Sequence, residues 1–401
     1  MKNGKYWMVW IAVCGMIGAT LGTKNISGLF FTAMSESFGV GRGAVSLTLT
    51  ISNLLLAAGD YLSPRLFRGE NYRRLSRLCV ACIVGATFLM GSATSIWLLY
   101  LLSAIRGFFS GMLGIVIGTV VLNNWFVRYN GLVTGVALAS GGLVSAVLSP
   151  ILSGVIEDFG WRMGWCAEAL AVLLLYAPLT LLPIAFRPED IGSVPLGGEE
   201  RLMKKATTAD STITSRPWTI FAGMLLFNAF ANAVSTFTNH LPGIADSRAF
   251  PAAIGAAMLS ASMVANAGGK VLMGAASERF GVKRPAMLYA ALIIGGLGLL
   301  STGRSAVAMI AGGAALGLAF SLTTVVPSLM AKDLFGVEQY RSVFPTVTLV
   351  GTIANACAAS LIGFSYDAAG SYLPAMLTLS AFLCGIVVLV LTLYRAVGKT
   401  K

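Results

Sequence analysis

RPEDIGSVPLGGEERLMKKATTADSTITSR, residues 187–216, is a long polar interval in a chain of 401 residues that is otherwise strongly apolar. It mixes both charge signs with proline and glycine, the composition of a solvated connector. On either side of it, apolar residues come in blocks of about 20, the length that crosses a hydrocarbon core of about 30 Å. The blocks before it run roughly Tyr6–Met34, Gly43–Leu62, Leu75–Ala93, Ser95–Leu122, Gly131–Val155 and Trp161–Phe186. Those after it run roughly Pro217–His240, Pro251–Ala276, Pro285–Thr302, Ser305–Ala331, Tyr340–Phe364 and Tyr372–Tyr394. The expected fold is an all-α membrane protein with about twelve transmembrane helices in two pseudo-symmetric six-helix bundles. Residues 1–186 form the first bundle, 187–216 a cytoplasmic linker and 217–401 the second.

Composition agrees with this reading. The chain is 56% hydrophobic and 11% charged, where soluble domains carry about a quarter charged residues. Lipid is the solvent that tolerates such a surface. The first span is long enough to tilt or to break near Gly22, and it reads as a retained membrane helix rather than a cleaved leader.

The cations set the orientation. Of 28 basic residues, Arg42, Arg162, Arg248 and Arg304 fall on the outer side, and Lys24, Arg106 and Lys270 fall inside spans. All the others fall on the cytoplasmic side when the termini are cytoplasmic, which places the chain in the cell (inner) membrane. The net charge of +12 is then topology signal and attraction to anionic headgroups. It is not a nucleic-acid surface, since no basic stripe with interleaved aromatics occurs in a soluble segment. The cysteines, Cys14, Cys79, Cys82, Cys166, Cys357 and Cys384, all lie in apolar stretches. Buried thiols are expected there, with no metal and no cofactor. No nucleophile–histidine–acid set or phosphate loop is present, so an enzyme is not expected.

The halves echo each other. Gly154-Val-Ile-Glu-Asp158-Phe-Gly160-Trp ends span five, and Gly363-Phe-Ser-Tyr-Asp367-Ala-Ala-Gly370-Ser-Tyr ends span eleven. Trp125-Phe126 and Leu334-Phe335 occupy matching loops. Paired six-span halves with substrate held near the midplane are a known transporter layout. Gly107, Gly111, Gly114 and Gly118 recur along span four at helical spacing, and Gly141, Gly142 and Pro150 are expected to interrupt span five. Small residues at such spacing let helices approach closely, whether for packing alone or for a sliding interface.

A cation at membrane depth costs at least about 2.5–3.5 kcal/mol, so each needs a reason. Arg106 has a structural reason or snorkels to the interface, and Lys24 has the same escape. Lys270 is harder to dismiss, because Ser262, Asn266 and Lys270 share one helical stripe. Asn228, Asn232 and Thr236 make a second stripe on span seven; Thr348, Thr352 and Asn355 line part of span eleven. These stripes either glue helices together or line a polar cavity. Deep acids are scarce, with Glu168 in the outer third of span six and Asp60 near the cytoplasmic end of span two. Such a cavity would be electropositive and suit a carboxylate or another small oxyanion. His240, ending span seven at the outer surface, is either an interfacial residue or a group that titrates in proton coupling.

Gly274-Ala-Ala-Ser-Glu278-Arg279-Phe-Gly281-Val-Lys283-Arg284 resembles the loop signature of the major facilitator superfamily, with Glu278 in place of its usual aspartate. Arg106-Gly-Phe-Phe-Ser-Gly111 resembles that superfamily's Arg-centred motif of span four. Within it, Lys24-Asn-Ile-Ser-Gly-Leu-Phe-Phe and Lys270-Val-Leu-Met-Gly274 resemble segments of proton-linked monocarboxylate transporters and oxalate/formate antiporters. The resemblance implies that Lys24 accepts a proton or senses substrate charge, and that Lys270 binds the carboxylate. Asn266, Asn232, Asn228 and Thr352 would orient the ligand, while Arg106, Asp60, Glu278 and Arg279 would serve structure and gating. Lys270 replaces the family's arginine, which exchanges a bidentate fork for a point charge. Asn266 replaces an aspartate of the usual proton relay, so anion exchange stands beside proton symport. The implied partners are a small anionic substrate, protons or a counter-anion, and the lipid bilayer. Two further alternatives remain. One is an exporter of drug-like amphipathic compounds, which would want a deep unpaired carboxylate. The other is a nutrient receptor, which would want a signalling domain larger than the linker and tails.

Overall fold

The computed structural model describes residues 4–197 and 218–398. The remainder of the polar interval, with Arg201, Lys204, Lys205 and Arg216, lies outside the described residues, as do Lys2, Lys399 and Lys401. The helices are α1 (Gly4–Ile26), α2 (Phe31–Phe38), α3 (Arg42–Leu66), α4 (Tyr72–Met90), α5 (Ile96–Met112), α6 (Ile115–Trp125) and α7 (Asn130–Leu181). After the interval come α8 (Trp218–Thr236), α9 (Leu241–Ser247), α10 (Ala252–Phe280), α11 (Lys283–Thr302), α12 (Ala306–Gly317), α13 (Ala319–Ala369) and α14 (Leu373–Gly398). No strand occurs among the described residues.

Ten described stretches are long and apolar enough to cross a membrane. One of them, Val133–Leu181, reverses into a second arm at Gly160, whose φ of 83° and ψ of 165° no helix can contain. α4 is long enough as well, but Arg73, Arg74 and Arg77 crowd its first turns. These two facts reconcile ten apolar stretches with twelve expected spans.

Both halves repeat a local device that the spacing of apolar residues does not reveal. The first span breaks at a 3₁₀ turn, Ser27–Phe30, and the seventh breaks at another, Phe237–His240. The expected break near Gly22 is therefore displaced. Gly22 instead lets α1 approach α7, where a Cβ would sit 2.6 Å from a Val144 methyl and where Ser145 Oγ donates to the Gly22 carbonyl at 3.0 Å. Likewise α7 runs unbroken through Gly141, Gly142 and Pro150. The caps repeat too, with Ser95 Oγ and Ser305 Oγ each accepting an amide of the first turn, from Leu98 and Ala308.

The chain packs as two compact units. Unit 1 comprises Met1–Asn25, Ile51–Leu148 and Val155–Asp210; unit 2 comprises Ile26–Thr50, Ser149–Gly154 and Ser211–Lys401. In unit 1, Met16, Ile17, Ile117, Val121, Trp125 and Tyr176 belong to a buried cluster. The span-four glycines act as close-packing sites: a Cβ on Gly107 or Gly111 would lie 2.2 or 2.0 Å from the Ser52 or Leu56 carbonyl of α3. The start of the linker is docked rather than loose. Leu196 exchanges backbone hydrogen bonds with Trp125 and Val127, Tyr6 Oη donates to the Val194 carbonyl at 2.7 Å, and Trp125 Nε1 donates to Ala185.

In unit 2, α12 rests on α10 at Gly317, whose Cβ would lie 1.9 Å from the Ser262 carbonyl. Ser149 Oγ donates to the Ala256 carbonyl at 3.0 Å. Two segments from before the polar interval, Ile26–Thr50 and Ser149–Gly154, thus belong to unit 2.

Candidate functional site

Unit 2 carries the Lys270 stripe on α10. Ser262 turns its hydroxyl back to the Leu259 carbonyl at 2.9 Å, a local bond that uses it up. Asn266 is buried, yet its amide reaches only the Met263 sulfur at 3.9 Å and its Oδ1 has no partner among the described residues. Lys270 is half-buried and makes no hydrogen bond or ion pair among the described residues. An amide and an ammonium on successive turns of one helix are therefore both available to a ligand. The Asn266 Nδ2, held only by a long contact to a thioether sulfur, is the group that could donate to an oxyanion, while Oδ1 could accept from a ligand hydroxyl or water.

The second and third stripes are largely spent on each other. Asn228 Nδ2 donates to the Val347 carbonyl at 2.6 Å, and Asn232 Nδ2 to the Asn228 carbonyl at 2.9 Å. Thr236 Oγ1 donates to the Asn355 carbonyl, while Asn355 Nδ2 donates to the Asn232 carbonyl at 3.3 Å. These bonds stitch α8 to α13, helped by Gly351, where a Cβ would lie 2.2 Å from Asn228 Nδ2. Asn228 is thus a helix stitch. Asn232 remains half-buried, and Thr352 is half-buried with its hydroxyl on the Thr348 carbonyl of its own helix.

Unit 1 carries Lys24 in the last turn of α1. It too lacks a hydrogen bond or ion pair among the described residues, and the charge that acts on it through space is Asp60 on α3. Arg106 and Glu168 answer each other: the guanidinium donates to the carboxylate, both side chains are buried, and Arg106 lies 5.2 Å from the Trp165 ring centre. Arg106 does not snorkel; it is neutralised in place by an acid 62 residues away in the chain. Of the three deep cations, Arg106 is ion-paired, while Lys24 and Lys270 have no ion pair among the described residues.

His240 is corrected from an outer surface to an interior position, 1% exposed. Its Nε2 bonds to the Ala359 carbonyl at 3.1 Å, and the rings of Phe31, Tyr372 and Phe237 surround it at 5.6, 5.8 and 6.3 Å. The 3₁₀ turn folds it inward, against the other 3₁₀ turn. Around it a polar network ties one end of unit 2 together. Arg42 donates to the Gly243 carbonyl at 3.0 Å and to Tyr372 Oη at 3.3 Å, pairs with Asp246, and stacks 4.4 Å from the Tyr366 ring centre. The Asp367 carboxylate accepts the Arg42 and Gly43 amides at 2.8 and 2.7 Å, capping α3. Arg42 stood in the sequence only as a topology signal, and nothing in its neighbours marked it as the centre of a network. At the other end of α10, Glu278 and Arg279 are exposed, with Arg279 over Phe280.

Known proteins supply the frame. A family model described as Major Facilitator Superfamily matches residues 12–269. The uncharacterized transporter ESBP6 of Saccharomyces cerevisiae is 22% identical over 236 residues, which take in 58% of this chain and 35% of the yeast protein. Most of that relative's length thus lies outside the match. The crystal structure of an aspartate-to-alanine mutant of the nucleoside transporter NupG superposes with a TM-score of 0.74 at 12% identity, covering 96% of this chain and 99% of that one. A bacterial homologue of the human lysosomal transporter Spinster, inward-facing and occupied, superposes at 0.67 and 12% identity, covering 98% and 95%. At such identity the likeness is one of fold.

Proposed function

The chain belongs to the major facilitator superfamily, and from that premise we propose that it is a secondary active transporter of a small organic anion, a monocarboxylate, moved with a proton by alternating access. The observation that carries this reading is Lys270, a cation inside a membrane span with no acceptor among the described residues, one turn from Asn266, whose Nδ2 has only a long contact to the Met263 sulfur. Burying an uncompensated ammonium is costly, and a carboxylate ligand offsets that cost. Lys270 takes the carboxylate as a point charge and Asn266 donates to it. Lys24 answers the substrate's charge or the proton. A drug-exporting role fits less well, because Glu168 is committed to Arg106 and the field at Asp60 includes Lys24.

The test is uptake of labelled lactate into proteoliposomes, with and without an inward proton gradient. Gradient-stimulated, saturable uptake by the wild type, abolished in Lys270→Ala at equal expression, is the expected result. Near-normal saturable uptake by Lys270→Ala would remove Lys270 from the site. Asn266, standing where the resembled family has an aspartate, favours anion exchange as the second reading; uptake seen only into anion-preloaded liposomes would establish it.

A further inference from the structure

Asp60 sits where the fourth span is broken. α5 ends at Met112 and α6 begins at Ile115, so the Gly114 amide, which would have continued the helix to Ser110, donates to Gly111 instead. Two opposite kinds of group meet the carboxylate there. The Val116 amide, in the first turn of α6, donates to it, and the positive end of that helix faces it. Its Oδ1, by contrast, is buried without a hydrogen-bond partner among the described residues. The position of the absent Gly114 Cβ shows why: Asp60 Oδ1, the Ser110 carbonyl and the Gly111 carbonyl all lie within 3.0–3.2 Å of it. The Gly111 carbonyl already accepts from the Gly114 amide, so this spot offers Asp60 Oδ1 acceptors rather than a donor, a setting that leaves an ionised oxygen unsatisfied and suits a carboxylic O–H.

The charged groups around Asp60 are few. α1 presents Lys24, which attracts it through space without a hydrogen bond between them. α5 and α6 present backbone carbonyls and the Val116 amide. On α3 itself the neighbouring Tyr61 and Arg65 are exposed and engaged with each other, Arg65 lying 4.6 Å from the Tyr61 ring centre. Elsewhere among the deep acids, Glu168 is held by Arg106. Glu168 also keeps one buried oxygen, Oε2, without a partner among the described residues, but it is ion-paired. Asp60 has no ion pair among the described residues, one oxygen met by an amide and the other facing acceptors.

We propose that Asp60 carries the coupling proton, and that Lys24 alternates between attraction to Asp60 and attraction to the substrate anion. This rests on the anion-transport reading above. In the empty protein the Asp60 carboxylate offsets the Lys24 ammonium. A proton taken from the aqueous side closes an O–H on Oδ1 and removes that negative charge; one substrate carboxylate then replaces it. Loading adds one proton and one anion, so the charge within the spans is unchanged and transport is electroneutral. Release of the anion on the other side returns Lys24 to Asp60, which gives up its proton to that side.

The experiment uses the reconstituted full chain as wild type, Asp60→Asn and Asp60→Glu. pH-difference infrared spectra, which need no substrate, are expected to show a carboxylic-acid C=O component in the wild type that Asp60→Asn lacks. Lactate flux is expected to lose all proton-gradient stimulation in Asp60→Asn while exchange of internal for external lactate continues, and to keep stimulation in Asp60→Glu. An unchanged infrared component, or stimulation that survives in Asp60→Asn, overturns the proposal. So does loss of exchange in both variants, which would make Asp60 a structural residue at the helix break. If the wild type moves no lactate but the infrared component depends on Asp60, the monocarboxylate reading falls and the proton site stands.

Discussion

Arg106 and Glu168 show how a membrane cation is read differently once its surroundings are known. Each alone is a costly charge; together they are a buried pair, Glu168 being fully covered. Removing one partner leaves the other uncompensated, at a cost of about 3–5 kcal/mol, whereas replacing both by apolar residues of similar size is close to neutral. Arg106→Leu or Glu168→Leu alone should therefore sharply lower the melting temperature in detergent, while the double variant recovers most of it. Additive losses would show that the pair is not the energetic unit. Lys270 has no such counterpart among the described residues, which is why it is proposed to meet a ligand. The Arg106–Glu168 pairing was not legible because its members lie on different spans, and no local pattern ties them. The Ser262, Asn266 and Lys270 stripe was legible because its members share one helix.

Hydropathy blocks suffice at the scale of helices, because lipid forces each span to satisfy its own backbone. Where a span breaks is another matter. The 3₁₀ turns at Ser27–Phe30 and Phe237–His240 meet each other, and a Cβ on Gly28 would lie 1.6 Å from the Asn239 carbonyl oxygen. That distance admits no side chain, so the break is specified by a tertiary contact and not by a breaker residue in either span. Gly28→Ala should force the turns apart, seen as faster amide hydrogen exchange over both of them. Exchange unchanged from wild type would mean that the turns do not depend on this approach. The polar stripes carried a similar ambiguity, since periodicity places them on one face without saying what they face. Asn228, bonded to the Val347 carbonyl, should behave as a stitch: Asn228→Ala loses about 1 kcal/mol of stability with KM for lactate unmoved. Asn266→Ala should do the reverse, raising KM with little loss of stability. A raised KM in Asn228→Ala would return it to the binding site.

At the scale of the whole molecule, the network around Arg42 in unit 2 ties α3 to α9 and α13, and its contacts are unequal. The Arg42–Asp246 ion pair is weak on its own, because the Asp246 side chain is half exposed, and exposed pairs contribute about 0–1 kcal/mol. Asp367 does more. It caps α3 through the amides of Arg42 and Gly43, and loss of such a cap costs about 0.5–2 kcal/mol. Arg42 itself joins the Gly243 carbonyl, Tyr372 Oη and the Tyr366 ring as well as Asp246. A charged hydrogen bond to a carbonyl contributes about 1.5–3 kcal/mol, so its removal should exceed either acid's. The expected order of opening is Arg42→Ala, then Asp367→Ala, then Asp246→Ala, read as loss of hydrogen-exchange protection in residues 40–46 and 359–367. Because Asp246 acts through Arg42, the Arg42→Ala/Asp246→Ala double variant should open no further than Arg42→Ala alone. If Asp246→Ala matched Arg42→Ala, the ion pair would be the latch. If none of the three altered exchange, this end of unit 2 would rest on the apolar nest around His240, and charge would have no part in holding it.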